Sequence, residues 1–192
     1  MGTRPVNKSG IAPPMPGRGC RSPLHPLHAR QKPYGDLTPM FSFGCGTENP
    51  KGLHMSFFRV GDQLESDIVL DEHCVGWENI AHGGIVSTIL DETMGWAVIA
   101  FKRVFFVTRV IEVRYHRPTP IRVPLKAVAR IHPKPALRGC RVRGILYDRH
   151  GTRLASAQAE VAYLSEKMQA LLPESYRREM VRVFREIEQL PP

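Results

Sequence analysis

Cysteine is scarce and poorly spaced: Cys20, Cys45, Cys74 and Cys140 in 192 residues, with no CxxC or HxxxH pattern around them. That excludes a disulfide scaffold and a zinc ribbon, and it gives His73-Cys74 with Cys45 no frame as a metal site. No metal or cofactor is expected, and free thiols suit a reducing cytosol, so a cytoplasmic location is expected. Uncharged apolar runs of 18 residues are also missing, so membrane insertion is not expected. No glycine-rich phosphate loop follows a strand, no recognisable nucleic-acid module frames the basic residues, and there are no internal repeats.

What is present is enough chain for one domain with tails. The formal charge is +9, and residues 1–39 carry six Lys/Arg (Arg4, Lys8, Arg18, Arg21, Arg30, Lys32) against Asp36 alone. The same stretch holds eight of the 17 prolines and almost no apolar periodicity, which reads as a disordered or loosely packed tail. The chain then divides into a folded domain over 40–165 and an amphipathic helical segment over 166–192.

Within the domain, 37–43 reads as a short helix closed by Gly44-Cys45-Gly46, and Asn49-Pro50-Lys51-Gly52 as a turn. Residues 53–60 and 63–70 form a strand pair across Gly61-Asp62. A loop over 71–81 leads to Ala81-His82-Gly83-Gly84 and a 17-residue apolar helix, 85–101, whose only charges are Asp91 and Glu92. Strands follow at 105–116, 123–131, 137–147 and 152–164, punctuated by Arg117-Pro118-Thr119-Pro120, His132-Pro133-Lys134-Pro135 and Asp148-Arg149-His150-Gly151. Val123, Leu125, Ala127, Ala129 and Ile131 face one way, Arg122, Lys126 and Arg130 the other. Ala155, Ala157 and Ala159 make a sheet surface shallow enough for a bulky helix. From Glu174, the positions Tyr176, Met180, Val183, Phe184, Ile187 and Leu190 recur at helical spacing. One long buried helix on one antiparallel sheet is an α+β arrangement.

Helical geometry puts Gly84, Thr88, Asp91 and Gly95 on one small, polar stripe, shaped for close approach of another element. Two adjacent carboxylates inside an apolar helix need a reason, because buried charge is costly. The helix start offers free N–H groups at Gly83 and Gly84 for a developing oxyanion. Asp91 stands roughly 10 Å along the axis from Gly84, too far to serve the same carbonyl within one subunit. Two such helices, antiparallel in a symmetric dimer, bring Asp91 of one chain toward Gly83 and Gly84 of the other, so an obligate dimer with shared sites is expected. Glu92, about 100° around the helix from Asp91, reads as structural support.

Asn49-Pro50-Lys51-Gly52-Leu53, His82-Gly83-Gly84 followed by Asp91-Glu92, and Arg117-Pro118 closing the next strand resemble the hotdog-fold acyl-CoA thioesterases. The nearest branch is that of the phenylacetate-pathway thioesterase and the thioesterase-superfamily-member proteins, over about residues 42–164. The resemblance implies an antiparallel sheet wrapped around the central helix, here with an extra C-terminal helix, and an acyl-CoA substrate cleaved by a homodimer or homotetramer. It implies that Asp91 activates water or attacks the thioester, that Gly83 N–H, with Gly84, polarises the carbonyl, that His82 orients the loop or the substrate, and that Thr108 holds the water. Asn79, Trp77, Arg117 and Arg109 are candidates for substrate binding. Arg103, Arg138, Arg141 and Arg143 are further candidates for the CoA phosphates, and Trp77, Trp96, Phe101 and Phe105 for the acyl pocket. Where many relatives have Asn or Gln six residues before the His, this chain has Gly76, with Asn79 out of register. Two alternatives remain: a hotdog module that binds or senses acyl-CoA without turnover, and an acyl-CoA hydratase or dehydratase, whose helix-entry pattern is not found here.

Overall fold

The computed structural model describes residues 41–132 and 138–189. The basic, proline-rich tail, most of the helix expected over 37–43, the Pro133-Lys134-Pro135 turn and Leu190 lie outside the described residues. Residues 41–46 form a turn, closed by Gly46 N–H donating to the Ser42 carbonyl at 2.9 Å. Strands β1 (Ser56–Val60) and β2 (Gln63–Val69) pair antiparallel across Gly61-Asp62, where Gly61 takes φ +59°.

The segment expected as a plain loop, 71–81, is structured. Asp71 caps a 3₁₀ turn over Glu72–Cys74, and β3 (Val75–Trp77) pairs with β4 (Ile80–Ala81). Its hydrogen bonds explain the difference, since no apolar alternation marks strands this short. Ala81 N–H donates to the Thr119 carbonyl and His82 N–H to the Cys74 carbonyl, each at 2.8 Å.

Helix α1 (Gly83–Lys102) follows, then β5 (Phe106–Tyr115), β6 (Pro124–Ile131), β7 (Gly139–Asp148) and β8 (Arg153–Tyr163). The six long strands form one antiparallel sheet in the order β1-β2-β6-β7-β8-β5, leaving β5 at an edge. α1 lies across the middle of this sheet, against β2, β6, β7 and β8. By length and apolarity α1 could cross a bilayer, but the sheet takes its apolar side, burying ten of its 20 residues.

Small residues set the closeness of that packing. The alternation read in β6 and β8 is observed: Leu125, Ala127, Ala129, Ala155, Ala157 and Ala159 are buried toward the helix. Gly144 of β7 is placed so that a β-carbon there would stand 3.1 Å from Met94 Cγ and 3.3 Å from Leu90 Cδ2 of α1.

After a short helix, α2 (Glu166–Gln169), comes α3 (Glu174–Gln189), which buries Met180, Val183 and Ile187. A lone 16-residue helix is marginal in water, so this apolar stripe, at about 1.5–3 kcal/mol per buried side chain, is what holds α3 to the domain. Its contacts give its direction. Tyr176 and Met180 share a cavity with Glu92, Gly95 and Ile99, Phe184 packs edge-on to Phe105, and Glu188 pairs with Arg103 at 3.2 Å. α3 thus runs alongside the C-terminal half of α1 in the same direction. The fold is the expected hotdog: an antiparallel sheet, a long central helix and an added C-terminal helix.

Candidate active site

The start of α1 is clamped at a single peptide. His82 is the N-cap, with φ −60° and ψ 136°, and its Nδ1 accepts from Gly84 N–H at 3.0 Å. The carbonyl of the same peptide, on Gly83, accepts from Ser87 Oγ at 3.0 Å and from Tyr115 Oη at 2.9 Å, and the two hydroxyls stand 2.7 Å apart. This corrects one expectation: the Gly84 N–H is taken up by the cap. The Gly83 N–H meets no acceptor among the described residues and remains the free donor. Through that bond His82 closes the turn.

Two turns further along, Asp91 Oδ1 accepts from Thr108 Oγ1 at 3.1 Å. Partial burial pushes the Asp91 carboxyl above the ordinary aspartate range, and the Thr108 hydrogen bond works against that rise. Glu92 turns instead toward the 42–46 turn and Trp96. Burial raises its proton affinity, the neighbouring Cys45 opposes this, and the Asp91 charge adds to the rise. Cys45 is pushed up to about 12 by burial and by Glu92, so it stays a thiol. Gly44 lets Glu92 come this close: a β-carbon on it would come within 2.6 Å of Glu92 Cγ and displace that side chain. Glu92 therefore braces the turn against α1. Ser87 and Thr88 do not cap these acids, since Thr88 Oγ1 bonds the Gly84 carbonyl at 2.9 Å just as Ser87 bonds that of Gly83.

What brings Thr108 and Tyr115 to the same helix is an irregularity in β5. Seven positions apart in a regular strand, they would face opposite ways. Between Thr108↔Val161 and Val110↔Glu160 the register slips, leaving Arg109 extra on β5. That bulge restores both residues to the helix side, so Thr108 meets Asp91 and Tyr115 meets Gly83. Alternation alone could not reveal Tyr115 as part of this network.

A cavity of about 390 Å³ opens beside Asp91, lined on its polar side by Ser42, Glu92, Thr108 and Tyr176, and on its apolar side by Trp96, Ile99, Phe106 and Met180. Of the aromatics expected in an acyl pocket, Trp96 is there. Phe101 lies under Arg59, 5.2 Å from its ring centre, Phe105 packs on Phe184, and Trp77 is 77% exposed on the β3–β4 hairpin. Along the small, polar stripe of α1, expected to allow close approach of another element, the end beyond Asp91 meets one within this chain. Gly84 is exposed and Thr88 and Asp91 half-buried, but Gly95 is covered by Phe106, 3.3 Å from where a β-carbon would be, and α3 lies over the turn beyond.

The remaining substrate-binding candidates are scattered. Asn79 is exposed on the hairpin and uses its carbonyl to accept from Ile121 N–H at 2.9 Å. Arg109, in the bulge, and Arg117, just after β5, are exposed. Arg138 and Arg143 are exposed too, while Arg103 and Arg141 are held by Glu188 and Glu160. Gly76 has a steric reason: a β-carbon there would stand 2.7 Å from His82 Cα, so no side-chain amide fits this hairpin as built. Among the described residues no group of three His, Cys, Asp or Glu is placed to hold a metal ion.

Chemically, the arrangement offers a carboxylate more basic than a solvent-exposed aspartate, a hydroxyl beside it and, about 12 Å away along the axis, an unoccupied amide at a helix N-terminus. A model of the thioesterase superfamily matches residues 78–132, which span α1, β5 and β6. No curated protein matches the chain. Solved structures share its fold. A thioesterase superfamily protein superposes with TM-score 0.59 at 21% identity, over 71% of this chain and 68% of that one. A phenylacetic acid degradation-related protein from Ralstonia eutropha JMP134 gives 0.52 at 23%, over 57% and 85%. A hypothetical thioesterase from Streptococcus pneumoniae TIGR4, solved with coenzyme A, gives 0.51 at 15%, over 54% and 82%. The chain thus has the hotdog fold, and the resemblance to the thioesterase superfamily read from its motif is met by the family model across 78–132.

Proposed function

We propose that this protein hydrolyses an acyl-CoA thioester to the free acid and CoA, as a homodimer with two shared sites. The observation that carries the proposal is the Thr108–Asp91 hydrogen bond at the mouth of a mostly apolar cavity. Asp91 takes a proton from a water held with Thr108. The water oxygen bonds to the thioester carbon, the oxyanion that forms is held by a Gly83 N–H, and collapse breaks the C–S bond. The CoA thiolate leaves and regains the proton.

The second subunit enters through β5. This strand is one of the two edges of the sheet and exposes Val107, Val110 and Ile111. The Asp91 contact lies at one end of β5 and the Gly83 contact at the other. Antiparallel pairing of two such edges sets the Thr108 end of one strand beside the Tyr115 end of its partner, which carries the Gly83 amide across the distance that one chain cannot span. The CoA bound by the Streptococcus pneumoniae neighbour supports a CoA ester as ligand. The exposed Arg109 and Arg117 are the groups proposed for its phosphates.

Thiol release measured across acetyl, butyryl, octanoyl, palmitoyl and phenylacetyl-CoA tests the proposal. Rates no higher than those of Asp91→Asn on every substrate would sink it. One observation favours a second reading, a binding or sensing module without turnover: the crowding at Gly76 leaves no room for an amide there. Tight acyl-CoA binding with no thiol release would establish that reading instead.

A further inference from the structure

We propose that α3 is the acyl-length ruler of this protein, with Tyr176 and Met180 forming the end wall of the Asp91 cavity. The inference rests on the thioesterase reading above and adds the class of acyl group: short to medium chain, with long-chain acyl groups excluded.

Three observations place the wall. The cavity that holds Asp91 and Thr108 also holds Tyr176 and Met180, side chains one helical turn apart on the face of α3 that packs against the domain. Met180, 4% exposed, is the buried part of that wall, and Tyr176, 41% exposed, is the part that reaches solvent. α3 is anchored beyond the cavity at two further points, Phe184 on Phe105 with ring centres 5.4 Å apart and Glu188 on Arg103 at 3.2 Å. The wall is therefore part of the packed domain.

The dimensions set the limit. Along α1 the cavity lining runs from Asp91 to Ile99, eight residues or about 12 Å along the axis, roughly the reach of ten extended carbons, and Met180 belongs to the same lining. The volume, about 390 Å³, sits toward the small end of ligand pockets, which run from about 300 to 1,000 Å³. The apolar lining from Trp96, Ile99, Phe106 and Met180 suits an aliphatic tail. An acyl chain longer than the cavity meets Met180 and must displace α3 to fit.

The test is a profile of kcat/KM from acetyl- to palmitoyl-CoA, with the affinities of the matching non-hydrolysable thioether analogues measured in parallel. The wild-type profile falls at least about tenfold between decanoyl and palmitoyl. Met180→Ala raises the palmitoyl-to-octanoyl ratio about tenfold, and Met180→Trp lowers the decanoyl-to-butyryl ratio by a similar factor. Should Met180→Ala not fold, Tyr176→Ala, at a half-exposed position, moves the ratio in the same direction. Val181→Ala, on the outer face of the same helix, follows the wild-type profile. If the Met180 and Tyr176 variants follow it too while Asp91-dependent hydrolysis persists, the ruler is overturned and the thioesterase stands. If no substrate is hydrolysed but analogue affinity shifts with chain length in these variants, the thioesterase reading fails and the wall stands. Analogue affinity that ignores chain length overturns the ruler in either case.

Discussion

Replacing Asp91 by asparagine should damage the proposed chemistry and strengthen the fold, and the pH dependence of the second effect makes it diagnostic. The side chain is half-buried, with one hydrogen bond, from Thr108, set against its loss of solvent. Burial dominates, so the folded protein holds the Asp91 proton more tightly than the unfolded chain does, above the reference value of 3.8. Wild-type stability therefore falls as pH rises from 3.8 through the raised value, and above that the whole penalty is present. Asparagine has nearly the same shape, still accepts from Thr108 through Oδ1 and carries no charge. Asp91→Asn should gain about 1 kcal/mol near neutrality, which in a protein of this size is about 2–4 °C in Tm. The gain should vanish at the acid end, where the wild-type carboxyl is protonated in both states. Thermal melts of the two proteins at neutral and acid pH give the difference, and thiol release should fall by about 100-fold or more. An asparagine variant that is no more stable near neutrality, or equally more stable at both pH values, would refute the view that Asp91 is held as a strained base.

Other consequences can be measured separately. Thr108→Val removes the bond that lowers the Asp91 proton affinity, so the acid limb of the kcat/KM profile should move to higher pH, with about a tenfold loss of rate. Gly83→Pro deletes the free amide at a first helical position preceded by a residue already extended, His82 at ψ 136°, so the fold should survive and activity should not. Mixing inactive Gly83→Pro and Asp91→Asn subunits should restore about a quarter of wild-type activity if sites are shared across a two-fold axis, and none if each chain works alone. Val107→Lys with Val110→Lys should charge the exposed β5 edge, and light scattering should then report a monomer without activity. A β-carbon at Gly139 would run into the Val161 carbonyl oxygen, so Gly139→Ala should cost about 3 kcal/mol in denaturant unfolding, with the site itself untouched.

Much of the architecture was legible because period and punctuation agree. The 3.6-residue pattern of α1, the alternation of β6 and β8 and the Gly61-Asp62 and Asp148–Gly151 turns each point to one element, and each is there. The position of Asp91 on a polar stripe was legible for the same reason. Three features were not. The β3–β4 hairpin is held by backbone bonds to residues far along the chain, which leave no local pattern. The Gly84 amide looked as available as that of Gly83, and only the rotamer of His82 separates them. α3 announced itself as an amphipathic helix, but apolar spacing says that a face is buried without saying against what. That Tyr176 and Met180 reach the cavity of Asp91 is a fact of tertiary packing.

The bulge at Arg109 makes β5 a strand with a memory of parity. Its two ends serve different parts of the helix, and they face the same way only because one residue is stored out of register between them. Loss of a single residue between Thr108 and Tyr115 would iron out the bulge and keep both contacts. Loss of a residue from a strand already regular would turn one of them outward. Change in this strand is therefore governed by odd and even more than by residue type: indels that preserve the parity of the two contacts should be tolerated, and those that break it should separate the Asp91 end from the Gly83 end while leaving the sheet intact.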